Sequence, residues 1–167
     1  MSYHKHKEAS PVSVSCAVLT VSDSRTEKDD ESGRILRQKL EQNGHRVISH
    51  AILKNDANTL ENRLEELLAM KELQVIITSG GTGTGSRDIT VETVSPMLEK
   101  RLDGFGELFR FLTYQELGTA SIMSRAVGGI SRGKVILCLP GSPGAANLAM
   151  DRVILPEISH LVREATR

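Results

Sequence analysis

The residues best suited to chemistry form a glycine-rich stretch, Ser79-Gly80-Gly81-Thr82-Gly83-Thr84-Gly85, which Arg87 and Asp88 follow closely. It comes directly after the apolar run 75–78, whose composition is typical of a buried strand. Glycines let a backbone approach a ligand closely, and successive backbone N–H groups bind phosphate. Asp88 could then hold a metal ion or orient the bound anion. The pattern therefore predicts a phosphate-binding loop.

This loop matches neither of two common nucleotide-binding motifs. No lysine follows the glycines, so the GxxxxGK[ST] motif of P-loop NTPases is not met. The first predicted strand carries no glycines at its end, where a nicotinamide-binding Rossmann domain needs GxGxxG. The sequence thus argues against both classes.

Alternating strand and helix patterns predict the elements that position the loop. The predicted strands are 14–21, 46–53, 75–79, 126–130 and 135–139. The predicted helices are 32–42, one that begins at Asn58 with Glu61 completing a capping box, 90–94, 104–117 with Phe105, Leu108, Phe109 and Leu112 facing inward, 143–152 and 156–166. The order predicts a three-layer α/β sandwich with a mostly parallel central sheet and a C-terminal antiparallel hairpin. Residues 1–13 are predicted to be a flexible arm, and 14–167 a single domain.

Polar loop residues follow four of the predicted strands. In order, they are Ser22-Asp23-Ser24, Asp56, the glycine-rich stretch and Pro140-Gly141-Ser142-Pro143, in which Ser142 also suits a helix N-cap. Ligands of open parallel sheets bind beyond the C-terminal strand ends, so these segments are expected to line one site. The alternative is that turns use these residue types anyway.

Two carboxylates, Asp56 and Asp88, are expected to face the glycine-rich loop. Carboxylates beside a phosphate would repel it unless a divalent cation lies between, and Mg²⁺ takes one or two carboxylates together with phosphate oxygens. Arg87 could neutralise phosphate or could be an ordinary surface residue. Asp88 could instead cap the helix that starts near Val91.

Composition and charge limit the remaining classes. The net charge is zero and aromatic residues make up 3% of the chain, which argues against broad nucleic-acid or anionic-membrane binding. Cys16 and Cys138 lie in apolar runs and are expected to be free buried thiols in a cytoplasmic protein. The histidines are scattered, so no catalytic triad is predicted, and His4-x-His6 is interpreted as an incidental pair.

Five motifs in one order resemble those of the MoaB/Mog family of molybdenum cofactor biosynthesis proteins, over about 15–161. They are Ser79-Gly80-Gly81-Thr82-Gly83, Arg87-Asp88-Ile89-Thr90, Gly104-Phe105-Gly106-Glu107, Ser124-Arg125 and Leu139-Pro140-Gly141-Ser142-Pro143. The stretch from Phe111 to Ala126 is most similar to the MoaB branch. Val91 stands where relatives often have proline, on a helix start, which leaves the Asp88 carboxylate unaffected.

The resemblance implies a reaction and an assembly. Active members of that family transfer AMP from ATP to the terminal phosphate of molybdopterin and release pyrophosphate, and the family is trimeric or, in some MoaB members, hexameric. A molybdenum-insertion protein would be the partner that receives the product. A non-catalytic carrier of molybdopterin or its adenylate, and a scaffold that uses the fold for oligomer contacts, are the alternatives.

By motif position, the resemblance gives Asp56 and Asp88 the places of the family's two functional aspartates, with Mg²⁺ between them. The remaining residues that it implies for binding molybdopterin and ATP are Ser22, Asp23, Ser24, Ser79, Gly80, Gly81, Thr82, Gly83, Arg87, Glu107, Ser124, Arg125, Pro140, Gly141, Ser142 and Pro143.

Overall fold

The structure is a computed structural model, and it describes residues 10–167. The predicted arm, 1–13, lies mostly outside the described residues, and so do His4 and His6. The boundary between arm and domain at residue 13 therefore stays a prediction.

A six-stranded sheet in the order β2-β1-β3-β6-β5-β4 forms the middle layer. Its first four strands pair in parallel, β5 pairs antiparallel with β6, and β4 pairs antiparallel with β5. A tight turn joins β5 to β6, because Arg132 and Gly133 both adopt positive φ angles of 49° and 72°. The strands are β1 (Ser15–Val21), β2 (Arg46–Leu53), β3 (Val75–Ser79), β4 (Lys100–Arg101), β5 (Val127–Ser131) and β6 (Lys134–Leu139).

Helices cover both faces of the sheet, which confirms the predicted three-layer α/β sandwich. The first face carries α1 (Glu31–Gln42), α4 (Asp103–Leu117), α5 (Pro143–Ala149) and α6 (Leu155–Ala165), and the second carries α2 (Ala57–Ala69) and α3 (Thr90–Val94). Each helical layer packs on the sheet to form a hydrophobic core, and the fully buried strand β1 contributes to both cores. Cys16 and Val18 pack in the core of the first layer, and Ala17 and Leu19 pack in the core of the second. Double coverage explains why this strand is a continuous apolar run.

Short irregular helices complete the chain. One 3₁₀ helix (Ser95–Met97) follows α3, another (Gly118–Met123) follows α4, and a π-helical turn (Met150–Ile154) joins α5 to α6 without a break. Pro156 lacks the N–H that would bond the carbonyl of Arg152, which accounts for the wider turn just before it. The two predicted C-terminal helices thus form one continuous helical segment.

Two local predictions were wrong, and one short strand was missed. The N-cap of α2 is Asp56, not Asn58, so Glu61 completes no capping box. Leu108 is 44% exposed, because the inward face of α4 is Phe105, Phe109 and Leu112. The two-residue strand β4 was not predicted: its exposed charged pair shows no strand alternation and is fixed by pairing with β5.

The two cysteines, Cys16 and Cys138, are free and buried, as their apolar sequence surroundings predicted. Burial raises the pKa of each thiol to about 12. None of the helices within 10–167 is long and apolar enough to cross a membrane.

Candidate functional site

A cavity of about 680 Å³ opens where β1, β3 and β6 end. Backbone and small polar groups from the loops after β1, β2, β3 and β6 form one wall, and α4, its 3₁₀ extension and α5 supply the more apolar side. The lining residues are Val21, Ser22, Arg25, Asn55, Gly80, Gly81, Thr82, Gly83, Asp88, Phe109, Thr113, Glu116, Leu117, Met123, Ser124, Pro140, Gly141, Ser142, Gly144, Ala145 and Leu148.

The glycine-rich loop leaves β3 through a turn that excludes side chains. Gly80 has a φ angle of 102°, and a Cβ there would lie 2.3 Å from the carbonyl oxygen of Val21. The loop is tied down by two hydrogen bonds: the Gly80 N–H donates to the carbonyl of Leu139 at 2.9 Å, and the buried Thr90 hydroxyl donates to the Gly80 carbonyl at 2.8 Å. The loop is therefore a fixed, close-packed wall.

Three successive backbone donors of the same loop have no partner among the described residues. Within residues 10–167, no acceptor receives a hydrogen bond from the backbone N–H groups of Gly81, Thr82 or Gly83. All three residues line the cavity. Successive unpaired backbone N–H groups at a strand end form an anion-binding concavity.

Asp88 closes the loop on itself. Its Oδ2 accepts a hydrogen bond of 2.9 Å from the N–H of Gly85, and a Cβ at Gly83 would lie 2.6 Å from the same oxygen. Ile89, not Asp88, occupies the N-cap of α3, and it makes no side-chain cap bond. The alternative of a helix-capping role is thus excluded, and the carboxylate borders the cavity.

Asp56 lies at the same edge of the sheet, where its side chain caps a helix. Its Oδ1 accepts hydrogen bonds from the N–H of Thr59 at 2.7 Å and from the Thr59 hydroxyl at 2.6 Å, which caps α2. These bonds lower the pKa of the carboxyl from its ordinary value. The neighbouring Asn55, not Asp56, lines the cavity. Among residues 10–167, no three His, Cys, Asp or Glu side chains are grouped to hold a metal ion.

Two of the predicted binding arginines are held in ion pairs. Arg87 donates from Nε to Asp23 at 2.8 Å, and this bond holds the pKa of the Asp23 carboxyl well below its usual range. Arg125 pairs with Glu92, whose pKa this bond lowers, and it also donates to the carbonyl of Gly83 at 3.0 Å. Both arginines brace the loop from outside the cavity.

Comparison with known proteins decides the family. The family model described as "Probable molybdopterin binding domain" matches residues 17–160. The chain is 42% identical over 168 residues to molybdenum cofactor biosynthesis protein B of Bacillus cereus, covering all of this chain and 99% of that one. The chain belongs to the molybdenum cofactor biosynthesis protein B (MoaB) family.

Solved structures agree with this MoaB assignment. A crystal structure of a molybdenum cofactor biosynthesis protein B superposes with a TM-score of 0.89 at 42% identity, covering 92% of this chain and 96% of that chain. The tungsten cofactor synthesizing protein MoaB from Pyrococcus furiosus gives a TM-score of 0.86 at 34% identity, covering 94% and 99%. The MoaB fold is therefore shared along nearly the whole chain.

The structure brings ten of the residues predicted from the MoaB/Mog resemblance into the cavity wall. They are Ser22, Gly80, Gly81, Thr82, Gly83, Asp88, Ser124, Pro140, Gly141 and Ser142. Ser142 also caps α5, as predicted, by accepting from the N–H of Ala145 at 3.1 Å.

The other predicted site residues lie outside the wall. Ser79 is buried in β3, and its hydroxyl bonds the Pro140 carbonyl at 3.5 Å. Glu107 is exposed on α4. The rest border the site without lining it: Asp23, Ser24, Asp56, Arg87, Arg125 and Pro143.

Sequence reasoning missed several lining residues. Arg25 and Asn55 are loop residues whose type gives no signal, because surface loops commonly carry both. Glu116 and Leu117 stand in the stretch that is most similar to the MoaB branch, which was the one available hint. The apolar side of the cavity depends on how α4 packs, and helical periodicity alone does not show which helix faces a cleft.

Proposed function

We propose that this MoaB protein binds molybdopterin in the cavity and adenylylates it with Mg-ATP. In this reaction an oxygen of the substrate phosphate attacks the α-phosphorus of ATP. The bond from that phosphorus to the bridging oxygen of the β-phosphate breaks, and pyrophosphate leaves with the electron pair. The observation that carries the proposal is that three successive cavity-lining residues, Gly81 to Gly83, have backbone N–H groups with no acceptor within residues 10–167.

The chain's own residues position the reactants and neutralise charge. The N–H groups of the glycine-rich loop would bind phosphate oxygens, and Ser22 and Ser142 supply hydroxyls in the same wall. The apolar side of the cavity, which includes Phe109, Leu117 and Met123, suits a flat ring system. A phosphate nucleophile needs no Ser, Cys or His nucleophile from the protein, which fits the lack of a triad.

The donor set fits Mg²⁺ bound through one protein carboxylate. Asp88 lines the cavity and holds its Oδ2 toward Gly85, whereas Asp56 caps α2 outside the wall. Mg²⁺ commonly takes one or two carboxylates and completes its shell with substrate phosphates and water. When bound there, the ion would neutralise the phosphate charge that develops as pyrophosphate departs.

A pyrophosphate-release assay tests the enzyme proposal. Purified protein, Mg-ATP and molybdopterin are combined anaerobically, and pyrophosphate is followed with and without the pterin. We expect release that requires the pterin, and we expect Asp88→Asn to abolish it while pterin binding is kept. A wild-type protein that binds the pterin and never releases pyrophosphate contradicts the enzyme proposal.

One observation favours a second candidate, a non-catalytic carrier of molybdopterin or its adenylate. Asp56, which the resemblance treats as one of two functional aspartates, is occupied as a helix cap and does not line the cavity. A carrier would bind the pterin and be indifferent to Asp56→Asn, a change that keeps the cap. An enzyme that needs both carboxylates would lose turnover in that variant while still binding pterin, an enzyme that uses Asp88 alone would keep its turnover, and a carrier would show no turnover even as wild type.

Self-association is part of the proposal. Six large apolar side chains on α4 and its 3₁₀ extension are between 44% and 85% exposed: Leu108, Phe111, Tyr114, Leu117, Ile122 and Met123. We expect a second copy of the chain to cover several of these side chains in a homotrimer or homohexamer, because clustered exposed apolar side chains mark protein–protein interaction sites. Light scattering after gel filtration checks it, and Phe111→Glu should shift the protein toward monomer. A monomeric wild type contradicts this part alone.

A further inference from the structure

A phosphate-binding cavity is expected to contain a cation, and this one contains a single candidate. Among residues 10–167, Arg25 is the one Lys, Arg or His that lines the cavity, whereas Asp88 and Glu116 contribute two carboxylates. A phosphorylated ligand that enters the cavity therefore meets two negatively charged side chains and one positively charged side chain. The position of Arg25 therefore decides where such a ligand can place its anion.

The other arginines near the loop lie outside the cavity wall. Arg87 is 71% exposed in its side chain and pairs with Asp23, and Arg125 pairs with Glu92. Neither lines the cavity. The sequence allowed Arg87 to neutralise a phosphate. The geometry favours Arg25 for that role, because Arg25 lines the cavity and Arg87 does not.

A buried network fixes the Arg25 guanidinium. Its Nη1 donates to the Ser32 hydroxyl at 3.0 Å, and that hydroxyl donates to the carbonyl of Gly141, another cavity residue, at 2.8 Å. The same Nη1 lies 3.8 Å from Oδ1 of Asp30, whose side chain is 1% exposed. Asp30 is itself held by the hydroxyl of Thr20 at 2.7 Å and by the N–H of Gly33 at 3.0 Å.

This network leaves most of the guanidinium available. A guanidinium has five N–H donors, and within the described chain the Arg25 side chain spends one of them, on Ser32. Its side chain is 28% exposed, and the residue lines the cavity. A guanidinium in a cavity wall that is held at one nitrogen by its partners and has donors to spare is suited to bidentate phosphate binding.

We propose that Arg25 binds a phosphate group of the substrate in this cavity, with Ser32 and Asp30 as its positioning residues. The inference rests on the proposed function, since it names the residue that meets the phosphate of molybdopterin or of ATP. Both sources of phosphate would bind in the same way, with two phosphate oxygens accepting hydrogen bonds from the guanidinium.

The test measures how much a ligand's phosphate contributes to binding, with and without the guanidinium. Calorimetry gives Kd for molybdopterin, its dephosphorylated form, ATP and inorganic pyrophosphate. The proteins are wild type, Arg25→Gln, Arg25→Lys, and Arg34→Gln as a control that removes one positive charge from the exposed surface of α1, the helix that follows Arg25 in the chain. Thermal unfolding confirms that each variant is folded.

In wild type we expect the phosphate of molybdopterin to strengthen binding about tenfold or more, because charge-assisted hydrogen bonds are the strong ones. In Arg25→Gln that ratio should fall to within about threefold, in Arg25→Lys it should recover in part, and in Arg34→Gln it should match wild type. A loss confined to ATP and pyrophosphate supports the same contact, with the nucleotide as the source of the phosphate.

Two results overturn the proposal, and they differ from a failure of the proposed function. If Arg25→Gln weakens both forms of the pterin equally and leaves ATP and pyrophosphate binding unchanged, Arg25 has a structural role only. If Arg34→Gln matches Arg25→Gln, general charge explains the effect. A third result separates the two proposals. If the wild type binds neither form of the pterin but does bind pyrophosphate, and Arg25→Gln binds pyrophosphate more weakly, then the function proposed above fails and the Arg25 contact stands.

Discussion

Replacing Gly80 by alanine tests whether the glycine-rich loop is held by the close approach that the structure shows. Gly80 has a φ angle of 102°, and a Cβ there would lie 2.3 Å from the Val21 carbonyl oxygen. Gly44 is a matched control, because its φ angle is 80° but nothing lies within 4 Å of the added carbon. The two variants share the backbone strain and differ in crowding.

The structure sets the expected magnitudes. A positive φ angle costs a residue with a Cβ about 1–2 kcal/mol, which applies to both variants. Crowding in a close-packed site adds about 1–3 kcal/mol for Gly80→Ala alone. Since 1 kcal/mol shifts Tm by about 2–4 °C in a domain of this size, Gly44→Ala should lower Tm by about 2–8 °C. Gly80→Ala should lower it by a further ~2–12 °C.

Thermal unfolding by circular dichroism, at one protein concentration, measures both variants. Pterin binding to the folded Gly80→Ala protein should also weaken, since the loop must shift to admit the methyl group, whereas Gly44→Ala should bind as wild type does. Equal Tm values for the two variants would refute the close-packed loop.

Three further predictions concern the glycine-rich loop, a helix cap at the same sheet edge and the pH dependence of stability. Thr90→Val removes the buried hydroxyl that bonds the loop carbonyl and should cost about 1–3 kcal/mol in chemical denaturation, whereas Thr93→Val, which loses only a second bond within its helix, should change less. Asp56→Ala should lower Tm by about 2–4 °C by removing a helix cap, and Asp56→Asn should keep most of it. Burial lowers the pKa of His45, whose Nδ1 accepts from the Val14 N–H at 3.2 Å, so the unfolded chain takes up the proton first. Stability should therefore fall as pH drops through 6.5 toward the lowered value in wild type, and less in His45→Asn; parallel Tm-against-pH curves would contradict this.

The fold was predictable because its signals are local and repeated. Doubly buried strands such as β1 give unbroken apolar runs, and the leucine stripe of α2 shows which face is buried. The N-cap of α2 was misplaced because Asp56 and Asn58 are both good caps, two residues apart, and only the hydrogen bonds to Thr59 decide between them.

The site was predictable where the fold rule applies and unpredictable where it depends on side-chain direction. The rule that ligands bind at the C-terminal strand ends correctly brought Gly80, Ser22 and Gly141 to one wall. Arg87 and Arg25 occupy similar loops, and only the structure shows that Arg87 is bound by Asp23 while Arg25 faces the cavity. The apolar wall on α4 likewise depends on packing between distant elements.

The most direct test of the central claim uses ATP labelled with phosphorus-32 at the α-phosphate and measures where the label ends up. Purified protein is mixed anaerobically with this ATP, Mg²⁺ and molybdopterin, and the pterin fraction is separated and counted. The account predicts that label appears on the pterin in step with pyrophosphate release, and that Asp88→Asn transfers none. Label that stays on unreacted ATP while the pterin is bound would contradict adenylylation and leave this MoaB protein as a carrier.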